Sequence, residues 1–136
     1  MSKDLSKVMV DVTSDEHFQE LIDSSEEKLV LIDCYSEWCG TCEALHPTLQ
    51  KVWLDYDNAS ERIILASASM DKLSDSIQSI FPRENAAVNI QDNGCLPLFL
   101  ILRFKSLVSH ISGVDAPQLL SLISTNIPEK PQQDEQ

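Results

Sequence analysis

Val8, Val10 and Val12 alternate with Met9 and Asp11 near the start of the chain, a period of two that predicts a half-buried strand. Thr13-Ser14-Asp15-Glu16 then fits a capping box, Thr13 and Glu16 each satisfying a free amide at a helix start. Phe18, Leu21 and Ile22 follow at helical spacing. Leu29 to Ile32 is an unbroken apolar run, as expected of a strand covered on both faces, and it leads through Asp33-Cys34-Tyr35-Ser36 to the close pair Cys39 and Cys42. Past the pair, Leu45, Leu49, Val52, Trp53 and Tyr56 share one helical face. Arg62 to Ala66 predicts another strand, and Leu73, Ile77, Ile80 and Phe81 predict a third helix ended by Pro82. Residues 83–94 are polar with weak periodicity and are assigned to a loop. Leu98 to Phe104 and Leu107 to Ser112 predict two strands in quick succession. Gly113 marks a turn, Asp115 is placed to cap a last helix, and Pro117 sits in its first turn, where a missing amide does no harm. Leu119, Leu120, Leu122 and Ile123 supply that helix with an apolar face.

The order β-α-β-α-β-α-β-β-α predicts an α/β fold. Strands joined through helices favour a parallel core, and the short link between the last two strands favours an antiparallel hairpin. A mixed central sheet with helices on both faces follows. At 136 residues the chain suits one domain, assigned to residues 1–127, followed by a flexible polar tail over 128–136.

Composition narrows the function classes. The 22 acidic and 10 basic side chains give a net charge of -12, which repels phosphate backbones and anionic headgroups, so no nucleic-acid or membrane partner is expected. No stretch reaches the roughly 18 to 20 consecutive apolar residues of a membrane span, and Met1 to Lys7 lacks the apolar run of a secretory signal. A cytoplasmic location is expected, where thiols stay reduced. Cys34, Cys39, Cys42 and Cys95 are too few for a disulfide scaffold, which leaves redox chemistry or metal binding for the close pair.

Cys39 stands where a buried strand gives way to a helix, and unpaired amides at a helix start favour a thiolate. Two intervening residues let Cys42 reach the first sulfur within one turn, the arrangement thiol–disulfide exchange needs. Structural zinc needs four ligands, usually from two such pairs. Only one pair is present, and Cys34, Cys95 and His46 complete no known template, so neither a metal nor another cofactor is expected. Asp33 inside a strand needs a partner or a raised pKa if buried; it could also lie at an exposed strand end.

The stretch Leu31-Ile32-Asp33-Cys34-Tyr35-Ser36-Glu37-Trp38-Cys39-Gly40-Thr41-Cys42, followed by His46-Pro47, resembles the active-site strand and helix of the thioredoxin family. The resemblance extends over about residues 6–126 and implies the thioredoxin fold. It makes Cys39 the attacking thiol, Cys42 the resolving thiol, and Asp33 the buried carboxylate that exchanges protons with the resolving thiol. Trp38 and Gly40 would border the substrate surface. Pro47 would be the proline that kinks the active-site helix; the sequence alone says only that it interrupts one. Leu96-Pro97 matches the family's cis-proline site, although a proline opening a strand is ordinarily trans. Gly113 fits the glycine that lets a substrate chain approach nearby.

Some positions depart from the family pattern. Thr41 stands where most thioredoxins carry proline, and Glu43 where a lysine is common. Glu37 and Glu43 would disfavour a Cys39 thiolate, unless Glu43 simply lies on a solvated helix face. The connection from Pro82 to Leu96 is longer than usual, and it holds Cys95, either an accessory thiol or a buried inert one. Ile111-Ser112-Gly113-Val114-Asp115-Ala116-Pro117 and Cys95-Leu96-Pro97-Leu98-Phe99-Leu100 are similar to segments of the thioredoxin-like light chains of axonemal outer-arm dynein. That resemblance implies a redox-responsive subunit bound to the N-terminal tail region of a dynein heavy chain in the axoneme of a cilium. The alternative is a free cytosolic thioredoxin that reduces protein disulfides through Cys39 and Cys42.

Overall fold

The computed structural model describes residues 9–35, 46–80, 98–112 and 115–128. In chain order these form β1 (Val10–Val12), α1 (Asp15–Ser24), β2 (Leu29–Tyr35), α2 (His46–Asp55), α3 (Ala59–Arg62), β3 (Ile63–Ser69), α4 (Ser74–Ser79), β4 (Leu98–Arg103), β5 (Ser106–Ser112) and α5 (Ala116–Asn126). The five strands make one sheet in the order β1-β3-β2-β4-β5. β1, β3 and β2 run parallel, while β4 is antiparallel to both β2 and β5. This is the expected mixed α/β architecture, with one short helix, α3, that the sequence pattern did not announce.

Because side chains alternate across a strand, the central strand β2 feeds two cores. Val30, Ile32 and Cys34 join Phe18 and Leu21 of α1 and Ile77 of α4 on one face. Leu29 and Leu31 join Leu49 and Val52 of α2 and Leu119 and Ile123 of α5 on the other. The first six residues of β2 are buried, which explains why its sequence reads as a continuous apolar run. Among the described residues, no helix is long and apolar enough to cross a membrane.

Several local expectations are corrected. The cap of α1 is Ser14, whose Oγ accepts from the His17 amide at 3.0 Å, so the Thr13–Glu16 box gives way to a cap one residue later. β3 starts at Ile63 and continues to Ser69; Arg62 instead ends α3, donating to the Asp57 carbonyl at 2.9 Å and to the Pro128 carbonyl at 3.0 Å. β4 stops at Arg103, because Phe104 and Lys105 form the turn to β5 with φ of 60° and 63°. Such positive φ values suit a tight hairpin but cost side chains other than glycine about 1 kcal/mol or more each. Ser25 offsets that cost, its carbonyl accepting from the Phe104 amide at 2.6 Å and its Oγ from the Lys105 amide at 2.9 Å. On α5, Asp115 caps as expected, accepting from the Gln118 amide at 3.1 Å. Leu120 lies outside the apolar face and is 39% exposed.

Candidate functional site

The strand that leads toward the cysteine pair places Asp33 by the alternation that buries its neighbours. Leu29 and Leu31 face α2 and α5, so Asp33 faces the same way, while Cys34 turns to the opposite face. Asp33 sits level with Ser67 of β3 and Phe99 of β4. Its side chain is 1% exposed, and among the described residues neither carboxyl oxygen has a hydrogen-bond partner. The carboxyl is therefore buried and not at an exposed strand end.

His46, the first described residue of α2, brings its Nε2 to 3.9 Å from Asp33 Oδ2. That separation permits ionic attraction but is too long for a direct hydrogen bond. Stripped of water, the carboxylate is the costlier form, and burial raises the Asp33 pKa from 3.8 to about 7. A carboxyl of this kind can take up and release a proton near neutrality, as a resolving thiol requires. The neighbouring Cys34 is fully buried, and its thiol is pushed well up, first by burial and then by the negative charge of Asp33.

Of the site residues expected from the sequence, the structure places Asp33 in β2 and Pro47 second in the described helix α2. Cys39, Cys42, Trp38, Gly40, Leu96, Pro97 and Gly113 lie outside the described residues, as do Cys95 and the 82–96 connection. The sheet separates Cys34 from the face that carries His46, so those two cannot share a zinc ion. Among the described residues, no three His, Cys, Asp or Glu side chains cluster as metal ligands. In the sequence His46 stands out only as a stray zinc candidate and as the neighbour of Pro47. Its place next to Asp33 depends on packing between residues 13 apart, and strand alternation was the one signal pointing there.

A family model described as Thioredoxin matches residues 9–114. The chain is 26% identical over 106 residues to Thioredoxin-T of Drosophila melanogaster, an alignment covering 77% of this chain and 57% of that protein. It is also 26% identical over 96 residues to the 14 kDa dynein light chain of the flagellar outer arm of Chlamydomonas reinhardtii, covering 71% of this chain and 64% of that one. The chain thus spans less than two thirds of the length of either relative. The solved thioredoxin NaTrxh of Nicotiana alata shares the fold, with a TM-score of 0.64 and 21% identity over 89% of this chain and 94% of that one.

Proposed function

This chain belongs to the thioredoxin family, and from that premise we propose that it is a dithiol protein working as a redox-responsive light chain of the ciliary outer dynein arm. In this reading Cys39 and Cys42 interconvert between dithiol and disulfide on protein partners, and the protein is held on the tail region of a dynein heavy chain. The observation that carries the redox part is the Asp33 carboxyl, buried on the strand leading to the dithiol and without a hydrogen-bond partner among the described residues. An apolar residue there would be more stable, so the carboxyl is best explained by a proton it handles.

Support for the subunit role is the likeness to the Chlamydomonas light chain and the turn before α5, where Asp115 caps the helix and Pro117 lies in its first turn. The net charge of -12 suits a basic docking surface. Glu37 and Glu43 beside the dithiol suit selective exchange better than bulk reduction.

Tagged full-length protein carried through a ciliary extract at low salt tests this directly. Recovery of an outer-arm heavy chain, together with slow insulin reduction in the presence of thioredoxin reductase, is the expected result. Fast insulin turnover with no heavy chain recovered would overturn it in favour of a free disulfide reductase. The Drosophila thioredoxin among its relatives is the observation favouring that second reading.

A further inference from the structure

The Asp33 carboxyl is 1% exposed and the His46 imidazole 28% exposed, so the pair reaches from the interior to water. Moving the imidazole inward by about 1 Å brings Nε2 and Oδ2 to ordinary hydrogen-bond distance. The flanking strands offer Ser67 and Phe99 at the level of Asp33, and neither exchanges protons near neutrality. On β2 itself, Cys34 points to the other face, and Tyr35 follows on the same face as Asp33. The core on that face is apolar, with Leu49 and Val52 from α2, Leu65 from β3 and Leu119 from α5. Among the described residues, His46 is the ionisable side chain within ion-pair distance of the carboxyl.

We infer that His46 is a positioning residue through which Asp33 exchanges its proton with solvent. A neutral imidazole protonated on Nδ1 offers its Nε2 lone pair to the Asp33 carboxyl. Nε2 takes the proton from Oδ2, and the imidazolium then releases one to water.

The purpose of this relay rests on the dithiol reading. There, Cys42 gives its proton to Asp33 as its sulfur attacks Sγ of Cys39 in the mixed disulfide. The bond to the substrate sulfur breaks, that sulfur leaves as a thiolate, and two electrons pass from the dithiol to the substrate. Asp33 must then shed its proton before the next cycle, and His46 is the exit. A positive charge on the imidazole would also favour the carboxylate.

The test is carbon-detected NMR of the Asp33 carboxyl in full-length wild type, His46→Ala and His46→Lys, with amide spectra reporting folding. Removing the imidazole should raise the Asp33 midpoint by at least about half a pH unit, and a permanent cation should lower it by a similar amount. A merely structural role would move both variants in the same direction. A His46→Ala midpoint within about 0.2 unit of wild type, or a His46→Lys midpoint at or above it, overturns the inference. Whether Cys39 and Cys42 form a disulfide is read separately by mass spectrometry in redox buffers. Opposite midpoint shifts without that disulfide would sink the dithiol reading and leave the Asp33–His46 pair standing.

Discussion

The Arg103 guanidinium at the end of β4 donates to the main-chain carbonyl of Glu26 at 2.6 Å, just past the end of α1. It also donates to the carbonyls of Ser25 at 3.2 Å and of Asn126, the last residue of α5, at 3.3 Å. Its carbon lies 4.1 Å from the Phe104 ring centroid. Only 8% exposed, this arginine satisfies carbonyls at the negative ends of two helices on opposite faces of the sheet. Arg103→Met should lower stability by about 1–3 kcal/mol, since it takes this donor from the part-buried Glu26 and Asn126 carbonyls, while the Ser25 carbonyl keeps the Phe104 amide. Arg103→Lys should recover less than half, because a single ammonium nitrogen cannot span acceptors that arginine reaches from two separate nitrogens, Nε and Nη1. Urea unfolding midpoints check both.

Asp33 predicts an unusual pH dependence. Its pKa is 3.8 without burial and about 7 in the fold, so between those values the folded state holds more protons than the unfolded one. Stability therefore falls as pH rises from about 4 to 7 and levels off above, the reverse of a salt-bridged aspartate. The total contribution is at most about 4 kcal/mol. Asp33→Asn should flatten that limb, leaving the variant close to wild type at pH 4 and more stable at pH 8. Unfolding curves at pH 4, 6 and 8 measure it, and parallel pH profiles for the two proteins would contradict the buried-carboxyl account.

The cap of α1 separates two neighbouring residues. Ser14→Ala removes the acceptor of the His17 amide and should cost about 1 kcal/mol, whereas Thr13→Ala should change stability by under about 0.5 kcal/mol. Asp115→Ala, which uncaps Gln118 of α5, should resemble the serine variant. Thermal unfolding of the three variants side by side decides the register.

The helices and strands that the sequence shows plainly are those whose burial repeats with one period. β2 and β4 are buried on both faces and read as apolar runs, and Leu49 and Val52 mark α2. For β3 the apolar run ends at Ala66, and Ser67 and Ser69 beyond it carry no apolar signal. In the sheet Ser67 lies between Asp11 of β1 and Asp33 of β2, and Ser69 pairs with Tyr35 of β2 and is itself buried. The helix α3 is not legible in the sequence because four residues cannot display a helical period. Its cap, Asn58, uses a φ of 57° and no side-chain bond. For the site, Asp33 was legible as an acid in an apolar strand. Whether it was buried, and that His46 stands beside it, were not, since both depend on how α2 packs against the sheet.

For the dithiol itself, the charges of Glu37 and Glu43 predict a Cys39 thiol no more acidic than a free one. Its iodoacetamide reaction should show a half-point near or above the ordinary value of about 8.5. Glu37→Gln with Glu43→Gln should lower that half-point by a few tenths of a unit if both charges bear on the sulfur. A wild-type half-point below about 7.5 would contradict this.

Cys34 should behave in the opposite way to an exchange thiol. It is fully buried, and both burial and the Asp33 carboxylate disfavour its thiolate. Alkylation needs the thiolate and needs access, so Cys34 can react only when β2 separates from β3 and β4. Peptide mapping after iodoacetamide treatment at about pH 8 should find Cys34 unmodified in the native protein. Raising the urea concentration should then label it at the rate of unfolding. Because β2 is hydrogen-bonded on both sides, that rate should follow global unfolding and not a local opening. Rapid labelling in the absence of denaturant would show instead that the strand carrying Asp33 opens on its own. The carboxyl would then exchange its proton with water directly and would have no need of His46.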